Sequence, residues 1–299
     1  MLCPIDPSPA VRRRRRGFTL VEMLVVVTII SMLAGITLRV LKAARNTAAE
    51  MRTKATIAKL DHLIMAKYQS YMTRRVPIDT SGLPPNTAAE LRLKAVRRLM
   101  QFELPDRQSD VPDAATNTVD FTVGGVTRTM PMPAVKHRYR AILDAKPLGD
   151  NYRPAEMLYI LVSAGIRDGL EQFKDNEIGD ADGDGSPEFH DGWGRPIMFL
   201  RFAPGFSDTS PIQSGDPTTD HDPFDTHQVD GDAFHLIPLI YSAGPDKKYD
   251  INLGGVYAYA DDPFVSPGSE LGTPTDDPDE PDGDLNHYDN IHNHLIEQR

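Results

Sequence analysis

The chain has 299 residues, 40% hydrophobic and 25% charged, with a formal net charge of −11. That supplies enough apolar side chain for one sizeable folded domain beyond a membrane segment. The acid is concentrated late: from Asp216 to Arg299 there are nineteen Asp and Glu against three Lys and Arg, a surface that repels phosphates and disfavours nucleic-acid partners. Local acidic clusters suit hard cations such as calcium. The single cysteine, Cys3, excludes an internal disulfide, so other staples are expected.

Residues 1–17 read as a leader that ends in five arginines, Arg12 to Arg16, and Gly17. From Phe18 to Leu38 the only charged residue is Glu22, and charge returns at Arg39 and Lys42. As helix, that stretch spans about 31 Å, the hydrocarbon thickness of a bilayer. Residues 18–39 are therefore a transmembrane segment. The arginine flank keeps the N-terminus in the cytoplasm and puts everything after about residue 40 on the far side. The apolar core exceeds the roughly 7–15 residues of a secretory signal, and Ser31 to Gly35 is a poor small-x-small cleavage site. Glu22 stands out, because an acid in a span costs up to about 3 kcal/mol and needs a partner. The plainer alternative is a signal anchor with an incidental acid near the interface.

Arginine flank, Gly17-Phe18 and an acid five residues past the glycine together resemble the N-terminus of type IV prepilins and of type II secretion pseudopilins. The resemblance implies a cut between Gly17 and Phe18 by a dedicated prepilin peptidase, which then methylates the Phe18 amine. It implies that Glu22 receives the Phe18 ammonium of a neighbouring subunit and sets the filament register. It also implies an inner-membrane, single-pass protein with a periplasmic domain. Cleavage would remove Cys3. Major pilins often carry a C-terminal disulfide loop, which this chain lacks. Major pseudopilins use bound calcium instead.

The helix is expected to continue from the membrane to about residue 73. Ala44, Ala48, Met51, Ala55, Ala58, Leu60, Leu63, Ile64, Tyr68 and Tyr71 recur at helical spacing over residues 40–75, with Arg52, Lys54, Lys59 and Asp61 on other faces. Pro77 ends it. Residues 76–165 read as an insertion, mostly helical with a hairpin. A helix runs from near Thr87 to Phe102 and closes at Pro105. Val119, Phe121 and Val123 alternate ahead of Gly124-Gly125 and a second extended run, the pattern of a hairpin. Helical patterns return at 134–144 and 154–164. Arg92, Arg97, Arg98, His137, Arg138 and Arg140 make this region basic, either a solvated face or a contact for an acidic partner. Residues 166–299 hold the C-terminal sheet, with strands over Pro196–Phe202 and Phe234–Ser242, and a Pro/Asp-rich tail from Asp261 to Asp284.

The strongest chemical motif past the N-terminus is Asp180-x-Asp182-x-Asp184-Gly185-Ser186-x-Glu188-x-x-Asp191. Alternating carboxylates at positions one, three and five converge on one ion, Gly185 permits the turn, Ser186 offers a carbonyl, and Asp191 sits at position twelve. Glu188 completes the acidic set. Gly192 to Pro196 break any following helix, so the motif is a calcium loop without the paired helices, and the ion is structural. Asp191-Gly192-Trp193-Gly194-Arg195-Pro196 is similar to the Asp-Pro-Trp-Gly-x-Pro run of major pseudopilins, with Gly192 in place of proline. Ser242-Ala243-Gly244-Pro245-Asp246 is similar to their Ser-x-Gly-x-Asp-Gly segment, with Lys247 in place of glycine. By that resemblance Asp246, Asp250 and Asp289 form a second calcium site. A minor pseudopilin with a large helical insertion characteristically lacks the fifth-position acid, and Glu22 argues against it.

Nine histidines invite a hydrolase reading, but no His-Glu-x-x-His, phosphate-cradling glycine loop or Gly-x-Ser-x-Gly elbow is present, so no catalysis is expected. The sequence thus implies an α+β, type IV pilin-like fold: a long N-terminal helix packed on a small antiparallel sheet with a mixed insertion. The expected function is a calcium-stabilised structural subunit of the pseudopilus. Its partners would be the prepilin peptidase/methyltransferase, copies of itself, other pseudopilins and the inner-membrane secretion platform. A type IV pilus subunit and a non-filamentous, membrane-anchored calcium module remain as alternatives.

Overall fold

The computed structural model describes residues 18–149, 151–207, 209–253, 271–275 and 286–296. The leader with Gly17, and most of the acidic tail, lie outside them. The chain divides into two units, Met1–Thr47 and Ala48–Arg299. Helix α1, Leu20–Ser70, begins in the first and ends in the second.

In the first unit the large apolar side chains of α1, from Leu20 to Leu41, are exposed. In the second unit the helix buries Thr53, Thr56, Ile57, Leu60, Asp61, Ile64 and Tyr68. This face is rotated from the expected stripe, because Met51 and Ala55 are exposed and two threonines are buried. The threonines hide their hydroxyls by donating to carbonyls one turn back, Thr53 to Ala49 at 2.9 Å and Thr56 to Arg52 at 3.1 Å. Asp61, expected on a polar face, is buried and accepts from Asn293 Nδ2 at 2.7 Å. The helix stops at Ser70, well ahead of Pro77.

Helix α2, Pro85–Glu103, starts at a proline, whose missing N–H costs nothing at the first helical position. The start signal is thus Pro85 rather than Thr87. Strands β1, Thr118–Val123, and β2, Val126–Pro131, pair antiparallel. Their two-residue turn places Gly124 at φ 57° and Gly125 at φ 77°, a turn that wants left-handed backbone at both positions. Helices α3, Val135–Ala145, and α4, Arg153–Ile160, follow, and α4 runs on into a wider π turn, Leu161–Gly165. Arg97 is not part of a solvated basic face. It is buried and paired with Asp222 at 2.8 Å and Asp230 at 2.6 Å.

Short strands β3, Ile178–Gly179, and β4, Glu188–Phe189, form a two-stranded ladder. Strands β5, Met198–Leu200, β6, Leu239–Ser242, and β7, Ile291–His292, form an antiparallel sheet with β6 central. Helix α5, Asn293–Ile296, ends the described chain. All of β5 and β6 is buried, so both strands read as unbroken apolar runs rather than alternations. Phe199, Ile240 and Ile291 join one cluster with Ile57, Leu60 and Ile64 of α1. Met198, Leu200, Leu239 and Tyr241 join a second with Ala155, Phe206 and Ile251. The same larger cluster takes in Leu91, Leu99, Phe121, Tyr139 and Leu158, so the elements of residues 76–165 share the core of the helix and sheet. Each such side chain contributes about 1.5–3 kcal/mol by burial. This is an α+β architecture, long helix against small antiparallel sheets, of the pilin-like kind.

Candidate processing junction and cation-binding loops

At the junction Phe18 is exposed, and Thr19 precedes the first helical residue. The Thr19 hydroxyl accepts from Glu22 N at 3.2 Å, and Glu22 Oε2 accepts from Thr19 N at 3.0 Å and from the Thr19 hydroxyl at 3.1 Å. This is a reciprocal capping box, Thr-x-x-Glu, which satisfies donors that the helix itself leaves open. The signal was in the sequence, but the interest of Glu22 as an acid in a membrane hid its local use.

The Asp-rich loop lies between β3 and β4. Asp180 accepts from Gly183 N at 2.7 Å and Gly185 N at 2.6 Å. Asp182 accepts from Asp184 N at 3.2 Å, and Asp184 Oδ1 from Ser186 N at 2.6 Å. Gly183 and Gly185, at φ 77° and 89°, supply the left-handed backbone this tight winding needs. One carboxylate oxygen each from Asp180, Asp182 and Glu188 lie within 4.8 Å of one another. Glu188 is fully buried; Oε2 accepts from Ala181 N at 3.1 Å, while Oε1 has no hydrogen-bond partner. A buried carboxylate with one oxygen left open, among converging acids, fits a hard cation.

Asp191 does not join this group. Its Oδ1 accepts from Trp193 N and Arg195 N, both at 2.8 Å, and its Oδ2 accepts from the Ser242 hydroxyl at 2.7 Å. The chain turns at Glu188 into β4 and carries position twelve away from the loop. Burial raises the Asp191 carboxyl above its usual range, against the lowering by these hydrogen bonds. In its place stands a residue that the motif could not reveal, Glu156 of α4. Glu156, Asp182 and Asp184 form a second group of converging oxygens. Glu156 is pushed up to about 7, first by burial and then by the charges of Asp184, Glu188 and Asp182, with Gly149 N–H opposing. Asp184 is lowered, chiefly by the Ser186 N–H and then by Lys146, whose Nζ lies 3.3 Å from Asp184 Oδ1.

Asp246, Asp250 and Asp289 also converge within 4.8 Å. Asp246 N donates to Asp289 Oδ2 at 3.4 Å. Asp289 is pushed up to about 6, first by burial and then by Asp246, with Asp250 adding to it. Gly244, at φ 67°, lies so close to the 289 backbone that a Cβ would sit 2.5 Å from the Asp289 carbonyl oxygen. Lys247 holds φ 70°, a region glycine adopts freely, at the position where the resembled segment has glycine. Gly192, which replaces a proline, is equally constrained: its N–H donates to Thr53 at 2.8 Å, and a Cβ would collide with the backbone of Ala49. Proline could not make that bond.

Residues 12–38 match the family model described as the prokaryotic N-terminal methylation motif. No curated protein and no solved structure matches the chain significantly. The motif, which takes in the exposed apolar start of α1, together with a pilin-like α+β fold, supports a type IV prepilin-like protein. It indicates processing by a prepilin peptidase, pilin-like assembly and anchoring in a membrane through α1.

Proposed function

We propose that this protein is a structural, non-catalytic subunit of a type II secretion pseudopilus, with structural calcium in its acidic loops. After the cut behind Gly17 the subunit rests in the inner membrane with its domain outside, then enters the filament through the apolar half of α1. The observation that carries the choice of pseudopilin is the meeting of its two resembled segments. Asp191, which opens the Trp-Gly run, bonds the hydroxyl of Ser242, which opens the Ser-Ala-Gly-Pro-Asp run, at 2.7 Å between buried side chains. Gly192 of the first run rests on α1, and Gly244 of the second rests on the Asp289 segment. These segments thus tie sheet, helix and late acidic loop into one unit.

Glu22 carries the assembly step. In the single chain its carboxylate caps its own helix. In a filament the same carboxylate would receive a neighbour's Phe18 ammonium, neutralising both charges in apolar surroundings. The two uses separate by substitution. Glu22→Gln keeps the capping box, which accepts glutamine, and removes the charge; Glu22→Val removes both. We expect both variants to be inserted and processed, and both to lose incorporation into filaments in a shearing or cross-linking assay. Normal incorporation of Glu22→Gln would contradict the charge-pair role.

A further inference from the structure

We propose that the Asp-rich loop holds two divalent cations rather than one, that Asp182 is shared between them, and that the second is held by Glu156 of α4 together with Asp184. The inference rests on the reading that this loop binds calcium, and extends it to a ligand contributed from about thirty residues upstream.

Asp180, Asp182 and Glu188 form one set of converging oxygens, and Glu156, Asp182 and Asp184 form the other. Acid clusters on a surface are common, and the sets alone would not decide the matter. The deciding observation is independent of the loop winding. Two buried carboxylates reach the cluster from regular elements, Glu188 from β4 at 0% exposure and Glu156 from α4 at 1%. Each has an oxygen, Oε1, that is buried and has no hydrogen-bond partner among the described residues. The second oxygen of each is used, by Ala181 N at 3.1 Å and by Gly149 N at 2.9 Å. Leaving a buried carboxylate oxygen open costs several kcal/mol unless a cation or proton fills the place. Each set thus contains one such buried carboxylate.

The Gly149 backbone shows that the open oxygen of Glu156 lies beside Asp184. A Cβ built there would meet Glu156 Oε1 at 2.9 Å and would run into Asp184 Oδ2. Those two oxygens therefore pack side by side against a backbone position that only glycine can hold. Lys146 does not bridge them: its ammonium lies on Asp184 Oδ1 and on the Asp184 carbonyl. Asn151 Nδ2 holds Asp182 Oδ2 at 3.3 Å, orienting the shared carboxylate. Carboxylate ligands on an irregular loop suit calcium, which accepts uneven oxygen geometry, over magnesium, which demands a regular octahedron. The consequence is mechanical: the second ion would fasten α4 to the loop that leads into β4.

Calcium bound per chain tests this, measured by equilibrium dialysis and elemental analysis on the full chain in detergent. The substitutions are Glu156→Gln, Asp180→Asn and Asp182→Asn, each close in size to the native residue. Relative to wild type, we expect Glu156→Gln and Asp180→Asn each to lose one calcium and Asp182→Asn to lose two. The comparison is differential, so any ion at Asp246, Asp250 and Asp289 cancels. Melting in chelator controls for folding: Glu156→Gln should then melt no lower than wild type, because the open buried carboxylate is gone, and each variant should gain less than wild type when calcium is added. Unchanged stoichiometry in Glu156→Gln would overturn the second site. In that event a loss of one in Asp180→Asn leaves the single-ion loop standing, and no loss in either removes both.

Discussion

His294 gives a pH dependence whose sign and size follow from its surroundings. The ring is fully buried in α5, at the end of the described chain. Its Nε2 lies 3.2 Å from the Pro238 carbonyl, which can only accept, so Nε2 carries the proton. Nδ1 then accepts from the Ser210 hydroxyl at 2.7 Å. The rings of Phe206 and His292 pack at 5.6 and 6.1 Å, and among the described residues no carboxylate is positioned to favour a second proton. Burial therefore lowers the group from 6.5 to about 4, with the charge of His235 adding a little. The unfolded chain takes up the proton first as pH falls. The stability held by the neutral ring is whole above pH 6.5 and is lost progressively on the way down to about 4. Between pH 7.5 and pH 5 the loss amounts to about 2 kcal/mol. His294→Gln is the reference, since its amide can donate to Pro238 and accept from Ser210 without titrating. Urea unfolding of both proteins in detergent should show the wild-type advantage shrinking by about 2 kcal/mol across that interval. Carboxylates common to both proteins cancel. Parallel pH profiles would refute the burial of a neutral His294.

Two further substitutions probe the frame around the sites. Gly192→Ala drives a methyl into the Ala49 backbone of α1 and should cost about 1–3 kcal/mol of stability in the same unfolding assay; a change under about 0.5 kcal/mol would mean that the turn does not sit on the helix. Arg97→Leu leaves Asp222, whose side chain is fully buried, without its guanidinium, and should cost about 3–5 kcal/mol. Asp222→Asn in the same background should recover part of that loss, and its failure to do so would remove the buried pair as the cause.

The elements set by local chemistry were legible in the sequence. Two glycines between alternating valines and phenylalanine gave the β1–β2 hairpin, and helical spacing gave α1, α2 and α3. In the C-terminal half β5 and β6 lie inside the expected runs Pro196–Phe202 and Phe234–Ser242, whereas β7 was not legible. Strand β7 is two residues long and has no pattern of its own; it forms because Asn293 reaches Asp61, Pro238 and Ile240 N at once, a set of partners scattered over the chain. The tilt of the α1 face was missed because threonine reads as polar until its hydroxyl is bonded within the helix. At the loop, residue spacing picks out Asp180, Asp182, Asp184 and Glu188, whose carboxylates the fold gathers into two converging groups. It placed Asp191 there too, since spacing does not show that β4 carries that residue off to Ser242. Glu156 could not be found by spacing at all, because it approaches through tertiary packing of α4.

The most direct test of the account is the intact mass and N-terminal sequence of the protein purified from membranes of a cell that contains a prepilin peptidase. The account predicts a chain that begins at Phe18, carries one added methyl group on its amine and has lost residues 1–17, with Gly17→Ala left uncut or cut poorly. A wild-type chain that still begins ahead of Gly17 would contradict it.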